Sequence, residues 1–190
     1  MNEPLRAELI EMEQRDRALR AELVRRGELH GRGYHPEMAE LHRRHNERMR
    51  SIVALYGWPG RSLVGDEGCR AAGFVVQHAI LDPELQELCV RLLSEAVERG
   101  EAEAFMLALL TDRVLMQKGE PQMYGTQYVG AEGGGVEPWP IADAERVDER
   151  RLSVGLMPMS ENTARLNAQH VEELATAAKP GDGDSSGNQP

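Results

Sequence analysis

Several stretches of this chain carry ionisable or amide side chains where an ordinary helical core would be apolar, and each such group needs a partner. Asp112-Arg113 interrupts an apolar run made of Ala104-Phe105-Met106-Leu107-Ala108-Leu109-Leu110 and Val114-Leu115-Met116. A charge buried in such a run is costly unless it is paired. Neighbours on a helix point in different directions, so these two do not pair with each other. Arg113 looks to Asp16 or to a bound anion, and Asp112 to His78, Tyr124 or Arg151. Gln77-His78 follows a second apolar run, Ala71-Ala72-Gly73-Phe74-Val75-Val76. Imidazole titrates near neutral pH, which suits His78 to act as a general base or a ligand-orienting donor. The alternative is a histidine satisfied within a core. Asp82 stands four residues after His78 and could orient it, although its place before Pro83 favours a helix cap.

The third polar concentration is Pro121-Gln122-Met123-Tyr124-Gly125-Thr126-Gln127. Two carboxamides, a phenol and a hydroxyl around one glycine could read a polar ligand through paired donors and acceptors. They could equally brace a tight turn and cap nearby helix ends. His30, His35, His42 and His45 are dense, but three of the four fall in a loop or on solvated helix faces, so no metal site is assigned. A metal-dependent variant of the site would draw on Asp16, His45, His78 and Asp112.

Helices must position these groups. Residues 4–26 form an amphipathic helix whose stripe is Leu5, Leu9, Met12, Leu19 and Leu23, with Asp16 at the position that completes it. A second helix over 37–56 turns Met38, Leu41, Met49, Ile52, Val53 and Tyr56 inward, with His45 on the same stripe. The third, over 66–80, is apolar on every face and therefore buried all round. The fourth opens at Asp82-Pro83 and carries a clean stripe to Gly100. The fifth, ending at Gly119, repeats the buried pattern of the third. Residues 121–129 read as extended, and short helices follow over 142–152 and 161–177. The expected fold class is mostly α: a compact helical bundle with a small extended or β C-terminal element. Residues 1–178 form one helical domain, and 179–190 a polar, glycine-rich tail expected to be disordered.

Composition removes several functions. The net charge of −10, from 32 acidic against 22 basic residues, excludes a nucleic-acid role built on a basic surface. No segment approaches the length of apolar chain that a membrane span needs, and the charged N-terminus lacks a signal-peptide core. Cys69 and Cys89 stand among apolar residues, as small core side chains do. A cytoplasmic, reduced protein is expected, with no membrane or nucleic-acid partner.

Taken together, Gly57-Trp58-Pro59, Val64-Gly65, Gln77-His78-Ala79, Asp112-Arg113-Val114-Leu115, the run from Gly119 to Gln127, and Arg151 with Gly155-Leu156 resemble an uncharacterised bacterial family of unknown function marked by its YGTQ motif. The resemblance covers about residues 5–160. Where that family carries an acidic residue followed by Gln and then Arg in its first helix, this chain has Asp16-Arg17 and Arg20. The resemblance implies a shared pocket and supplies no mechanism.

The residues themselves suggest an enzyme using acid–base chemistry on a small polar or peptide-like substrate. The catalytic candidates are His78 for proton transfer, Asp112 as its orienter, and Tyr124. Gln77, Arg113, Gln122, Thr126, Gln127 and Arg151 are the substrate-binding candidates, Arg113 as an anion clamp. The cofactor is left open. The competing account is a non-catalytic interaction protein in which the same residues form a rigid structural network. Access decides between them: a cluster open to water favours the enzyme, a sealed one the scaffold.

Overall fold

The first helix of the computed structural model, α1 (Glu3–Arg25), begins where Asn2 accepts a hydrogen bond from the Leu5 amide and Pro4 sits in the first turn. Its buried face is Leu5, Leu9, Met12, Asp16, Leu23 and Val24, so the polar position in the stripe does point inward. The structure describes residues 1–29, 34–132 and 134–177. His30 and the expected tail at 179–190 lie outside them.

Helix α2 (Pro36–Tyr56) presents Met38, His42, His45, Asn46, Met49, Ile52 and Val53 to the interior. Gly57 ends it at φ 68°, a left-handed conformation that glycine adopts without steric cost. Helix α3 (Arg61–Gln77) starts earlier than its apolar pattern suggests, because it continues through a kink at Gly65. Its segment Ala71, Ala72, Val75 and Val76 is fully enclosed. Helix α4 (Pro83–Glu98) is capped by Asp82, which accepts from the Leu85 amide at 3.1 Å. Asp82 also takes Arg50 in a two-pronged ion pair, so it serves the cap and not His78.

Helix α5 (Ala104–Gln117) packs against α3 and α4, and α1 lies along α3. The core between them is built mainly from Leu, Val, Ala and Met, joined by Ile52, Trp58, Cys69 and Cys89. Both cysteines are buried free thiols, and burial pushes the Cys89 thiol up to about 12. The chain is thus mostly α, as its periodicity predicts.

The C-terminal third differs in detail from the expected extended run. Among the described residues, only Tyr128–Gly130 (β1) and Val136–Pro138 (β2) form an antiparallel pair, with Val129 opposite Glu137. Gln122 makes an isolated parallel bridge with Ile141, and residues 123–127 form a tight buckle in which the amides of Met123, Tyr124, Thr126 and Gln127 bond to side chains and not to a strand. A 3₁₀ turn leads into α6 (Val147–Ser153), and α7 (Met159–Ala177) crosses β2 and α1. No described helix is long and apolar enough to cross a membrane.

Candidate functional site

The polar residues separate into two clusters. The first surrounds Asp112, whose side chain is 0% exposed. Its carboxylate accepts from the backbone amides of Met123 at 2.7 Å, Tyr124 at 3.1 Å and Thr126 at 3.0 Å, and from the Thr126 hydroxyl at 3.0 Å. Gln122 donates to the carbonyls of Gln127 and Trp139 and accepts from the Gln127 amide at 2.8 Å. Arg151 lays its guanidinium across the carbonyls of Tyr124, Gly125 and Met157. Gly125 turns the chain at φ 64°, and a side chain there would collide with Met159. Asp112, Gln122, Gln127 and Arg151 are all buried. The YGTQ segment is therefore a knot in which side chains satisfy backbone groups.

The second cluster gathers around Asp16, 1% exposed, at the junction of α1, α2 and the end of α3. His78 stands at the C-cap of α3, where its backbone has left the helix (φ −90°, ψ 0°). Its Nδ1–H donates to Asp16 at 3.0 Å from Oδ2 and 3.1 Å from Oδ1. His42 reaches the same carboxylate from α2 through Nε2, and its Nδ1 meets the Tyr34 hydroxyl. A proton-consistent arrangement has Tyr34 donating to His42 Nδ1 and both imidazoles donating to Asp16. Burial pushes the Asp16 carboxyl up, but the hydrogen bonds and charge of His42 and His78 outweigh it and hold it well below the usual carboxylate range. Burial, with the Asp16 charge, pushes the Tyr34 phenol up to about 12, so it stays a neutral donor.

This cluster reaches solvent through Tyr34 and His78, while Asp16 and His42 are buried. Asp16, Tyr34, His42, His78 and Arg113 line a cavity of about 200 Å³, with Arg20, Leu29, His35, Met38 and Ile80 completing its wall. The His78 side chain is 29% exposed, and among the described residues its Nε2 makes no hydrogen bond. Phe74, one turn earlier on α3, packs on the His78 ring at 4.2 Å between centroids. The Arg17 guanidinium stacks on that Phe74 at 4.3 Å from its centroid. The imidazole is thus fixed by a carboxylate at one edge and an aromatic face beside it.

The structure brings His78 and Arg113 to this cavity and leaves the other expected site residues elsewhere. Gln77 donates to the Leu109 carbonyl at 3.2 Å and lines a different cavity, of about 440 Å³, between α1, α3 and α5. Gln127 reaches the same Leu109 carbonyl. Asp112, Gln122, Thr126, Gln127 and Arg151 belong to the knot, and Tyr124 lends it a backbone amide and carbonyl. The partner of His78 is Asp16, not Asp112, because Asp112 is filled by backbone donors.

The sequence reading missed His42 and Tyr34. A signal for His42 was present: it stands four residues after Met38 and seven before Met49, on the buried stripe of α2. Tyr34 gives no such signal, since it lies outside any helix.

The chain belongs to DUF6624, a family of unknown function. The match spans residues 3–172, so it takes in both the Asp16 cluster and the Asp112 knot. No curated protein and no solved structure matches the chain. The family has no assigned reaction.

Proposed function

We propose that this protein is an enzyme that moves protons on a small polar substrate held in the cavity between α1, α2 and the end of α3, with His78 as the general base. The observation that carries the reading is the asymmetric environment of its ring. Nδ1 is anchored on a buried carboxylate, while Nε2 has no partner among the described residues and the ring lines a solvent-reachable cavity. An anchored Nδ1–H selects the tautomer with its lone pair on Nε2, and the carboxylate stabilises the imidazolium formed when a proton is taken. Asp16 thereby acts as the positioning group, and the Tyr34–His42 pair holds Asp16 from its other side.

The described lining contains no Ser, Thr or Cys, so His78 has no protein nucleophile to activate. Its proton comes from water or from the substrate itself. The reaction classes that fit are water activation for hydrolysis and abstraction of an acidic C–H or N–H proton. A cytoplasmic location accompanies this reading, since Cys69 and Cys89 are buried thiols, as expected in a reducing compartment.

Turnover of chromogenic esters, amides and phosphoesters, compared between the wild type and His78→Gln and Asp16→Asn, tests the reading. Loss of roughly 100-fold or more in both variants, with folding intact, is expected of a general base and its anchor. Turnover unchanged in His78→Gln would sink it.

A second reading has its own observation. Ligand atoms of Asp16, His42 and His78 lie within 4.8 Å of one another, close enough to converge on one divalent ion. Two imidazoles and a carboxylate with open positions toward a cavity suit a transition metal acting as a Lewis acid. Metal analysis of the purified protein, and assay after chelation, separates the two: activity lost on chelation and restored by a metal favours this reading.

A further inference from the structure

Among the described residues, Arg113 is a cation without a counter-ion. Many arginines on the surface of this acidic protein are matched: Arg6, Arg15, Arg43, Arg48, Arg50 and Arg61 each meet a Glu or Asp. Arg151, the other deeply placed guanidinium, is covered by three carbonyls. Among the described residues, Arg113 has neither kind of cover. Its Nε is buried without a hydrogen-bond partner, and no carboxylate pairs with it among the described residues. Burial pulls its affinity for the proton down, and only the Tyr34 oxygen acts in the other direction.

The sequence offered two candidates to balance this charge, Asp16 and a bound anion. Asp16 is taken up by His42 and His78. The neighbouring Asp112 is filled by four donors of the YGTQ knot and points away. An unpaired guanidinium in a desolvated wall is expensive, and a chain with ten surplus negative charges could have supplied a carboxylate at little cost. Instead the cation lines the same cavity as His78.

We infer that Arg113 is the docking point for an oxyanion of the substrate, a carboxylate or a phosphoryl group, presented to His78 from the α5 wall of the cavity. This rests on the proposed function for the role of His78 and adds the class of substrate: a small anion. A planar guanidinium with free N–H groups matches either oxyanion through two parallel hydrogen bonds. With about 200 Å³ available, the ligand is the size of a simple metabolite.

The test is calorimetric titration of the intact protein with inorganic phosphate, with acetate, and with acetamide as the neutral counterpart of acetate. Phosphate or acetate is expected to bind the wild type while acetamide does not. Arg113→Met should weaken that binding by roughly 10- to 100-fold, the worth of a charge-assisted hydrogen-bond pair, and Arg113→Lys should retain part of it. Phosphate alone binding assigns a phosphoryl group, acetate alone a carboxylate, and both a general oxyanion site. Thermal denaturation without added anion guards against a merely structural role: Arg113→Met should melt at or above the wild-type temperature, because it removes an unbalanced charge. Binding of neither anion, equal binding by Arg113→Met, or a marked fall in its melting temperature would each overturn the inference. Those failures leave the His78 base untouched, since its tautomer is read separately by nuclear magnetic resonance.

Discussion

Replacing Asp112 by alanine is expected to destabilise the protein by about 4 kcal/mol. The carboxylate receives three backbone amides, from Met123, Tyr124 and Thr126, together with the Thr126 hydroxyl. The hydroxyl can rotate, and it already accepts a hydrogen bond from Gln127 Nε2. The three amides cannot turn away, because the buckle is fixed by Arg151, Gln122 and the left-handed Gly125. Each amide stranded from its acceptor costs roughly 1–3 kcal/mol. The lower part of that range applies here, since the bonds from Met123, Tyr124 and Thr126 are only part-buried. Asp112→Asn keeps one acceptor oxygen but turns an NH₂ group on the remaining donors, so a loss of about 2 kcal/mol is expected. Urea unfolding of the three proteins, with midpoint and slope compared, measures both numbers. A loss below about 1 kcal/mol for Asp112→Ala would refute the knot as the element holding the C-terminal third. The folded Asp112→Asn protein should also keep the Asp16–His78 pair unaltered, which an orienting role for Asp112 does not allow.

Stability in acid should depend on Asp16. Its carboxyl is held below the ordinary range, so the folded state binds fewer protons than the unfolded chain; the resulting stability is complete above the unfolded value of about 4 and lost as pH falls through and below it. The stability advantage of wild type over Asp16→Asn, read from urea midpoints, should therefore shrink between pH 6 and pH 3, and an advantage that grows in acid contradicts the pairing. Gly125→Ala should cost about 1–3 kcal/mol in the same assay, because a side chain at φ 64° is strained and meets Met159; a stable variant would mean that the buckle relaxes freely.

Much of the helical framework is legible in the sequence because each helix carries its own period and caps. The stripe of α1 predicts an inward Asp16, and the apolar run ending at Val76 sets His78 at the exit of a buried helix. Their pairing is not legible. They are 62 residues apart, and only the packing of α1 along α3 brings the one against the other. The YGTQ run misleads for a definite reason: amides and hydroxyls that could bind a ligand are chemically the same as those that bind a backbone. Its proximity to Asp112 in sequence looks like part of a pocket, while the fold uses it to satisfy a buckle without regular strands. His42 escaped because α2 is rich in charged residues, which hides a buried polar position among solvated ones.

The central claim is that His78 carries a proton on Nδ1 and a free lone pair on Nε2 toward the cavity. Long-range ¹H–¹⁵N correlation spectra of the imidazole rings near pH 8, with His78→Gln identifying the signal, measure this directly. The account predicts the Nδ1–H tautomer for His78, converted to a mixture or to the Nε2–H form in Asp16→Asn. An Nε2–H tautomer in the wild type, or a His78 signal indifferent to Asp16→Asn, would contradict it.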